Sequence, residues 1–284
     1  HVCPFGKTYL LSSESQGHSW SKPQIINNTL FDDRDPGIYS TKEGRLILHW
    51  FTSSVFSSWE EKCREAYGNK LVDNWQGKLD LVKKEEHAKE IGNFIRFSDD
   101  GGKTWSKRIS NHCNTPHGPT QLKDGTLLHV GPSRIDGILK IACETSSNLG
   151  ESWTLRSIFN CSLKRHKQLC EPHLIETDSG KILVLFRFLD EKKENRFLYQ
   201  TESNDKGHSW SGIKKTKLGG YPPHLCSLGD KKILVAYGVR KEPYRISGAL
   251  SYDEGKTWEN SKEFNLTKKI LKSDLGYPAT VLLD

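Results

Sequence analysis

Several features that would point directly to a function are missing from this chain of 284 residues. No stretch approaches the roughly 20 apolar residues of a membrane-spanning helix, so the sequence predicts no membrane span. The seven cysteines form no Cys-x-x-Cys pair, which argues against a zinc site, and their odd number cannot all pair within one chain. The net charge of +7 comes without a nucleic-acid-binding motif of basic and aromatic residues. A nucleic-acid partner is therefore not expected.

Linkers of low complexity are also absent, and an apolar content of 35% can supply one large hydrophobic core. We therefore expect a single domain over residues 1–284 and a monomer. Both ends interrupt the pattern of strands described below, so we expect the sequence to be trimmed at each end.

The chain does contain a repeated motif, in which a serine stands seven residues before a tryptophan and a glycine stands three residues before it. An Asp or Asn side chain within such a motif can accept backbone N–H groups in a tight turn, and the glycine supplies a positive φ. The tryptophan ring can be buried between neighbouring sheets. We interpret the motifs as structural turns. Clear copies span 98–105, 203–210 and 251–258, and weaker copies span 13–20 and 146–153.

The spacing of these tryptophans, about 50 residues with one longer interval, is typical of one four-stranded blade per repeat. The sequence thus predicts an all-β fold, a six-bladed β-propeller with four-stranded antiparallel blades and incomplete terminal blades. The longer interval contains residues 52–91, which are rich in Lys, Glu and Ala and include a capping-box-like segment at 58–61. We expect a helical insertion there.

The first strand of each propeller blade is the innermost, so the starts of these strands surround one mouth of the central channel. Asp35, Glu171 and Tyr277 occupy equivalent positions at three such starts, and the Trp-ended turns lie on the opposite face. A mouth of this composition suits an anionic ligand rich in hydroxyls, because arginine can grip a carboxylate with two parallel bonds. Other polar residues expected near the mouth are Arg34, His117, His173, Arg187, Tyr221, His224, Arg240 and Arg245.

The repeated box and the order Glu171, Arg187, Arg245, Tyr277 resemble the sialidase (neuraminidase) family over nearly the whole chain. The resemblance implies an exo-acting, retaining glycoside hydrolase that releases terminal sialic acid without a metal or cofactor. Tyr277 would be the nucleophile and Glu171 its base, since a phenol with a pKa near 10 is a poor nucleophile alone. Arg187 and Arg245 would bind the carboxylate of the substrate.

Two departures from the family pattern affect these assignments. The family's first arginine lies in a Phe/Tyr-Arg-Ile-Pro motif that this sequence lacks. The family's general-acid aspartate also lies early, and Asp35 is the best candidate here, although it could be a pocket wall with the acid lying upstream. Arg240 competes with Arg245, and Arg34 could simply pair with Asp35.

Two other functions stay open at this stage. One is another propeller glycosidase or a polysaccharide lyase acting on an anionic sugar, with His117, His173 and Tyr221 as candidate acid–base residues. The other is a propeller that binds carbohydrate without cleaving it, because fold analogy does not decide function. In each case the expected partner is a glycan. The sequence leaves the compartment open, and a polymeric substrate would favour a secreted or periplasmic protein.

Overall fold

The computed structural model describes residues 3–190, 196–258, 264–267, 270 and 275–283. Most of the described chain consists of short strands that alternate with tight turns. In chain order the strands are β1 (Thr8–Leu10), β2 (Gln24–Asn27), β3 (Asp32–Ser40), β4 (Leu46–Ser53), β5 (Gly92–Ser98), β6 (Ile109–Asn111), β7 (Thr120–Gln121), β8 (Leu127–Ile135), β9 (Ile138–Ser146), β10 (Thr154–Ile158), β11 (Leu169–Glu176), β12 (Ile182–Phe188), β13 (Phe197–Ser203), β14 (Lys214–Gly219), β15 (Pro223–Gly229), β16 (Lys232–Val239), β17 (Arg245–Ser251) and β18 (Phe264–Asn265).

Each run of four consecutive strands from β3 onwards forms an antiparallel sheet with neighbouring strands paired in chain order. We call these sheets blade A (β3 to β6), blade B (β7 to β10), blade C (β11 to β14) and blade D (β15 to β18). This is the all-β propeller architecture that the sequence predicts. The prediction of six blades is wrong for the described residues, which form four complete blades.

Two features explain why the sequence predicts more blades than the described residues form. The first Trp-ended motif closes the hairpin of β1 and β2, which pair only with each other, so it marks a two-stranded sheet rather than a blade. Residues 275–283, expected to begin a further blade, are not assigned to any strand among the described residues. The smaller sheet also leaves Trp20 61% exposed, whereas Trp153 in blade B is 8% exposed.

The repeated motifs form the turns between the third and fourth strands of the blades. In blade A, Ser98 Oγ accepts a hydrogen bond from the Gly102 amide at 2.9 Å, and Asp100 accepts one from the Thr104 amide at 2.9 Å. Trp105 Nε1 donates to the Gly102 carbonyl oxygen at 3.0 Å. Weaker copies use the same scheme, since Asn148 Oδ1 accepts from the Ser152 amide at 3.0 Å. All these polar groups serve the turn itself.

Hydrophobic side chains pack between neighbouring blades and fix the positions of their first strands. Leu128 and Val130 of blade B pack with Val184 and Phe186 of blade C, all almost fully buried. Equivalent clusters join blade C to blade D and blade A to blade B. A further cluster joins the two-stranded sheet to blade A. Burial of apolar surface at these interfaces therefore holds the channel mouth in shape.

The predicted helical insertion is present between the second and third strands of blade A. It contains a 3-10 helix (Val55–Ser58), α1 (Glu60–Tyr67), α2 (Asn69–Leu79) and α3 (Lys84–Glu90). Because second strands end at the mouth, the insertion lies on the mouth face. A separate short helix, α4 (Leu163–Gln168), precedes β11. None of the helices in the described part of the chain is long and apolar enough to cross a membrane.

Candidate active site

A shared backbone conformation places three polar residues at the channel mouth. Asp35, Glu171 and Tyr277 have φ angles of 49°, 46° and 59°, in the left-handed region that non-glycine residues seldom adopt. In β3 and β11 the first two lie in bulges, where the pairing shifts between Arg34 and Gly37 and between Cys170 and His173. Such a conformation costs roughly 1–3 kcal/mol and is concentrated at functional sites. The three residues for which the sequence predicts equivalent positions thus also share a backbone conformation.

Glu171 is in direct contact with Tyr277 and Arg187. The Tyr277 hydroxyl donates a hydrogen bond to Glu171 Oε1 at 2.7 Å. One terminal nitrogen of Arg187 donates to both carboxylate oxygens at 2.8 Å. The strand register explains the pairing, because Cys170 on β11 lies opposite Arg187 on β12 and Glu171 follows it in the bulge. The three groups form a tyrosine–carboxylate–guanidinium cluster.

The electrostatic environment keeps the proton on the Tyr277 hydroxyl. Burial, and then the negative charge of Glu171, raise the pKa of Tyr277 above its usual value of 10. Burial disfavours the charged form of Arg187, but the Glu171 carboxylate outweighs this effect and raises the pKa of the guanidinium. The resting site therefore holds a neutral phenol that donates to a carboxylate paired with a permanent cation.

The environment of Asp35 favours its protonated form. Burial raises the pKa of Asp35, and the nearby Glu171 charge raises it further, while Arg34 and Arg187 act in the opposite direction. Asp35 therefore holds a proton more easily than an exposed aspartate does. A carboxyl group whose pKa is raised by burial is suited to act as a general acid.

A pocket of about 290 Å³ opens beside these residues and is lined by Asp35, His117, His224 and Tyr277. Its size is at the lower end of the range for small-molecule sites, about 300–1,000 Å³. It therefore suits one sugar ring better than a longer oligosaccharide. Tyr277 stands at its rim and keeps 40% of its surface exposed.

The predicted arginines separate into two groups. The guanidinium carbons of Arg187 and Arg240 lie 4.4 and 5.5 Å from the centre of the Tyr221 ring, and that of Arg240 lies 5.8 Å from the Tyr277 ring. Arg245 instead donates to the Pro243 carbonyl oxygen at 2.9 Å in its own loop, and among the described residues it has no hydrogen bond to the cluster.

Arg34 pairs with Asp32 rather than with the cluster, at 2.9 Å from Nε to the carboxylate. Asp32 is not among the residues predicted from the sequence; it is buried, and burial is the main cause that raises its pKa to about 6. The signal for it was available, because residues two apart on a strand face the same side. Asp32 and Arg34 thus form an ion pair directly before Asp35 in the chain.

The three predicted histidines contact one another at the channel axis. The ring centroids of His117 lie 5.1 Å from those of His173 and His224, and the latter two stack at 4.1 Å. Burial lowers the pKa of all three, and that of His224 to about 4. His173 Nδ1 accepts from the Leu225 amide at 2.8 Å. The trio is therefore uncharged at neutral pH, and two of its members, His117 and His224, line the pocket.

No cation site accompanies this arrangement in the part of the chain that the structure describes. There, no group of three or more His, Cys, Asp or Glu side chains is placed to hold a metal ion.

Comparison with known families identifies the architecture. The sequence model of the BNR repeat-like domain matches residues 8–284. The chain belongs to the BNR repeat-like domain family. Its blades and Trp-ended turns are those of a sialidase-like BNR propeller. No curated protein sequence matches the chain.

Solved structures similar to this BNR propeller support the fold. A protein of unknown function from Dyadobacter fermentans has a TM-score of 0.76 and 19% identity, over 100% of this chain and 78% of that one. A Hadza microbial sialidase has a TM-score of 0.61 and 16% identity, and the match covers 92% of this chain and 52% of that one. The intramolecular trans-sialidase from Ruminococcus gnavus has a TM-score of 0.60 and 12% identity, and the match covers 95% of this chain and 80% of that one. At these identities the similarity establishes the fold alone.

Proposed function

We propose that this BNR propeller is the catalytic domain, spanning residues 1–284, of an exo-acting retaining glycoside hydrolase that releases terminal sialic acid. The observation that carries the proposal is the 2.7 Å hydrogen bond from the Tyr277 hydroxyl to Glu171 at the rim of a pocket of sugar size. A tyrosine needs a base within hydrogen-bond reach to act as a nucleophile, and Glu171 is one. The sialidases among its structural neighbours agree with this function.

In the first step the Tyr277 oxygen attacks the anomeric carbon and its proton passes to Glu171. The bond from that carbon to the glycosidic oxygen breaks, and Asp35 donates a proton to the departing alcohol. The result is a covalent glycosyl–tyrosine intermediate. The raised pKa of Asp35 suits a proton donor.

In the second step water attacks the same carbon from the side that the alcohol left. Asp35, now a carboxylate, takes a proton from the water, and the bond to Tyr277 breaks while Glu171 returns its proton to the phenolate. Two displacements on opposite faces retain the configuration of the anomeric carbon.

Recognition of an anionic sugar would fall to Arg187 and Arg240. Arg187 uses one terminal nitrogen for Glu171, and its Nε is buried without a partner among the described residues. Both guanidinium groups lie close to Tyr221, next to the nucleophile. They would also stabilise charge that develops on the sugar in the transition state. Arg34, Arg245, His117, His173 and Tyr221 remain predicted contacts of the substrate.

The direct test is release of the fluorophore from a fluorogenic α-sialoside by the full-length protein. We expect hydrolysis, and we expect its loss in Tyr277→Phe, which removes the nucleophilic oxygen alone. Tyr252→Phe is the matched control, since Tyr252 is an exposed residue of the Trp-ended turn 251–258 on the opposite face. Absence of release by the wild-type protein, or full activity of Tyr277→Phe, would contradict the proposal.

The other two functions give different results in the same preparation. A lyase would produce an unsaturated sugar, seen as a rise in ultraviolet absorbance with an anionic polysaccharide. A binding module would retain glycans on an array without releasing any product.

A further inference from the structure

The segment that carries Tyr277 is held differently from those that carry Asp35 and Glu171. Asp35 and Glu171 lie within β3 and β11, whose flanking residues pair with a second strand. Among the described residues, no backbone–backbone hydrogen bond connects residues 275–283 to a sheet. Side-chain contacts must therefore set the position of Tyr277.

Two side chains of blade D and its loop hold this segment on either side of Tyr277. Arg240 Nε donates to the Leu275 carbonyl oxygen at 2.6 Å. His224 Nδ1 lies 2.8 Å from Thr280 Oγ1 and accepts from the Thr280 amide at 3.3 Å. The first contact is two residues before Tyr277 and the second is three residues after it. Between them, Gly276 packs closely against the Tyr221 carbonyl oxygen and Gly238. The Arg240 guanidinium carbon also lies 5.8 Å from the centre of the Tyr277 ring.

The contact with Thr280 defines the protonation state of His224. A backbone N–H is only a donor, so Nδ1 must present its lone pair and the ring proton must be on Nε2. The ring stacks on His173 and touches His117, which are also neutral. A charged His224 would lose the acceptor and repel any charged neighbour. The contact with the Thr280 amide therefore exists only with a neutral ring, whereas the Thr280 hydroxyl can pair with Nδ1 in either protonation state.

We propose that His224 is a positioning residue, which holds Tyr277 against Glu171 by anchoring Thr280 through the lone pair of Nδ1. The anchoring itself follows from the contacts above, and its effect on rate rests on the proposed function. In this role His224 acts on the nucleophile rather than on the sugar. Loss of the anchor should lower kcat more than it changes KM.

Acid should release the anchor. The titratable groups around His224 are His117 and His173 against its ring, Asp35 and Tyr277 across the pocket, and Cys226, whose thiol contacts Thr280 and the backbone of Leu282. Burial lowers the pKa of His224 to about 4, so protonation and loss of the contact are expected only below that pH.

The anchoring is tested by amide hydrogen exchange of the peptide covering residues 275–283, read by mass spectrometry in three variants. His224→Leu removes the acceptor, and exchange should become about fivefold faster, as expected for loss of one hydrogen bond of ordinary net strength. His224→Asn places an amide oxygen near the position of Nδ1 and should exchange like the wild type. His208→Leu is the control, because His208 lies in an exposed turn on the opposite face.

Two results would show that His224 does not anchor the segment. One is exchange in His224→Leu at the wild-type rate, and the other is exchange in His224→Asn as fast as in His224→Leu. This readout needs no enzymatic activity, so it stands even if no sialoside is cleaved. With an active enzyme, His224→Leu should lose about tenfold in kcat with KM changed less than about twofold, and His224→Asn should recover most of that loss. A rise in KM with constant kcat would instead assign His224 to substrate binding and overturn the positioning role.

Discussion

Replacing Glu171 with glutamine should expose the role of the carboxylate as the base for Tyr277. The carboxylate accepts one hydrogen bond from Tyr277 and two from Arg187. Glutamine keeps a single acceptor oxygen and cannot take the proton of the phenol. Losing a general base lowers the rate by roughly 10²–10⁴-fold, which corresponds to about 3–5 kcal/mol in the activation free energy. We expect kcat for a sialoside to fall within this range.

The same substitution should change the dependence of the rate on pH. The negative charge of Glu171 is one cause of the raised pKa of Tyr277, so its removal lowers that pKa towards the ordinary value. Without a base, the rate for an aryl sialoside, whose leaving group needs no proton from Asp35, should follow the fraction of ionised phenol and rise about tenfold per pH unit between about pH 6 and pH 9. The wild-type rate should not rise in this way.

Two measurements check the prediction. The first is kcat against pH for the wild type, Glu171→Gln and the control Glu151→Gln, whose carboxylate is exposed in a turn on the opposite face. The second is the ultraviolet absorbance of tyrosinate, with Tyr277→Phe subtracted to isolate one phenol. Parallel pH profiles for wild type and Glu171→Gln, or a loss smaller than about tenfold, would refute the assignment of Glu171 as the base.

Three further predictions follow from burial and charge. Asp35→Asn should reduce kcat by roughly 10²-fold or more for an alkyl sialoside but much less for an aryl sialoside, because an aryl leaving group needs no proton. Equal losses for the two substrates would exclude Asp35 as the acid. Trp153→Ala should destabilise the protein by about 3–5 kcal/mol in urea unfolding, whereas Trp20→Ala, at an exposed ring, should change stability by less than about 1 kcal/mol. The pKa of His224 is lowered from 6.5 to about 4, so the unfolded chain binds a proton at a higher pH than the folded protein does. The free energy of unfolding should therefore fall as the pH decreases from 6.5 towards 4. His224→Asn should reduce that loss.

The repeated turns explain why much of the site could be predicted from the sequence. A second set of turns joins the first and second strands and contains Gly44 in blade A and Gly180 in blade C. Counting back from these turns shows that Asp35 and Glu171 occupy equivalent positions. The proximity of Glu171 and Arg187 followed from the same count, because both lie near the open end of one hairpin. Register within a hairpin is a local property, and the sequence specifies it strongly.

Contacts between blades were not predictable in this way. Nothing in the sequence distinguishes Arg240 from Arg245, since both flank one loop and only the path of residues 275–283 brings Leu275 to Arg240. The three-histidine contact likewise depends on how the blades pack around the axis. The number of blades was wrong for a related reason, since a Trp-ended turn reports a hairpin and not the sheet around it.

The three residues with positive φ at the mouth differ in how easily they can move. Displacing Asp35 or Glu171 would disturb strand pairing, in which each backbone hydrogen bond contributes about 1 kcal/mol and several would be lost together. Displacing Tyr277 disturbs no strand pairing among the described residues, and the contacts that oppose it are those with side chains such as Glu171, Arg240 and His224. Tyr277 is therefore the most easily displaced of the three, while the blades fix Asp35 and Glu171. Under the proposed mechanism Tyr277 approaches the anomeric carbon in the first displacement and leaves it in the second, so the movement that the reaction requires falls on the residue that the fold holds least firmly.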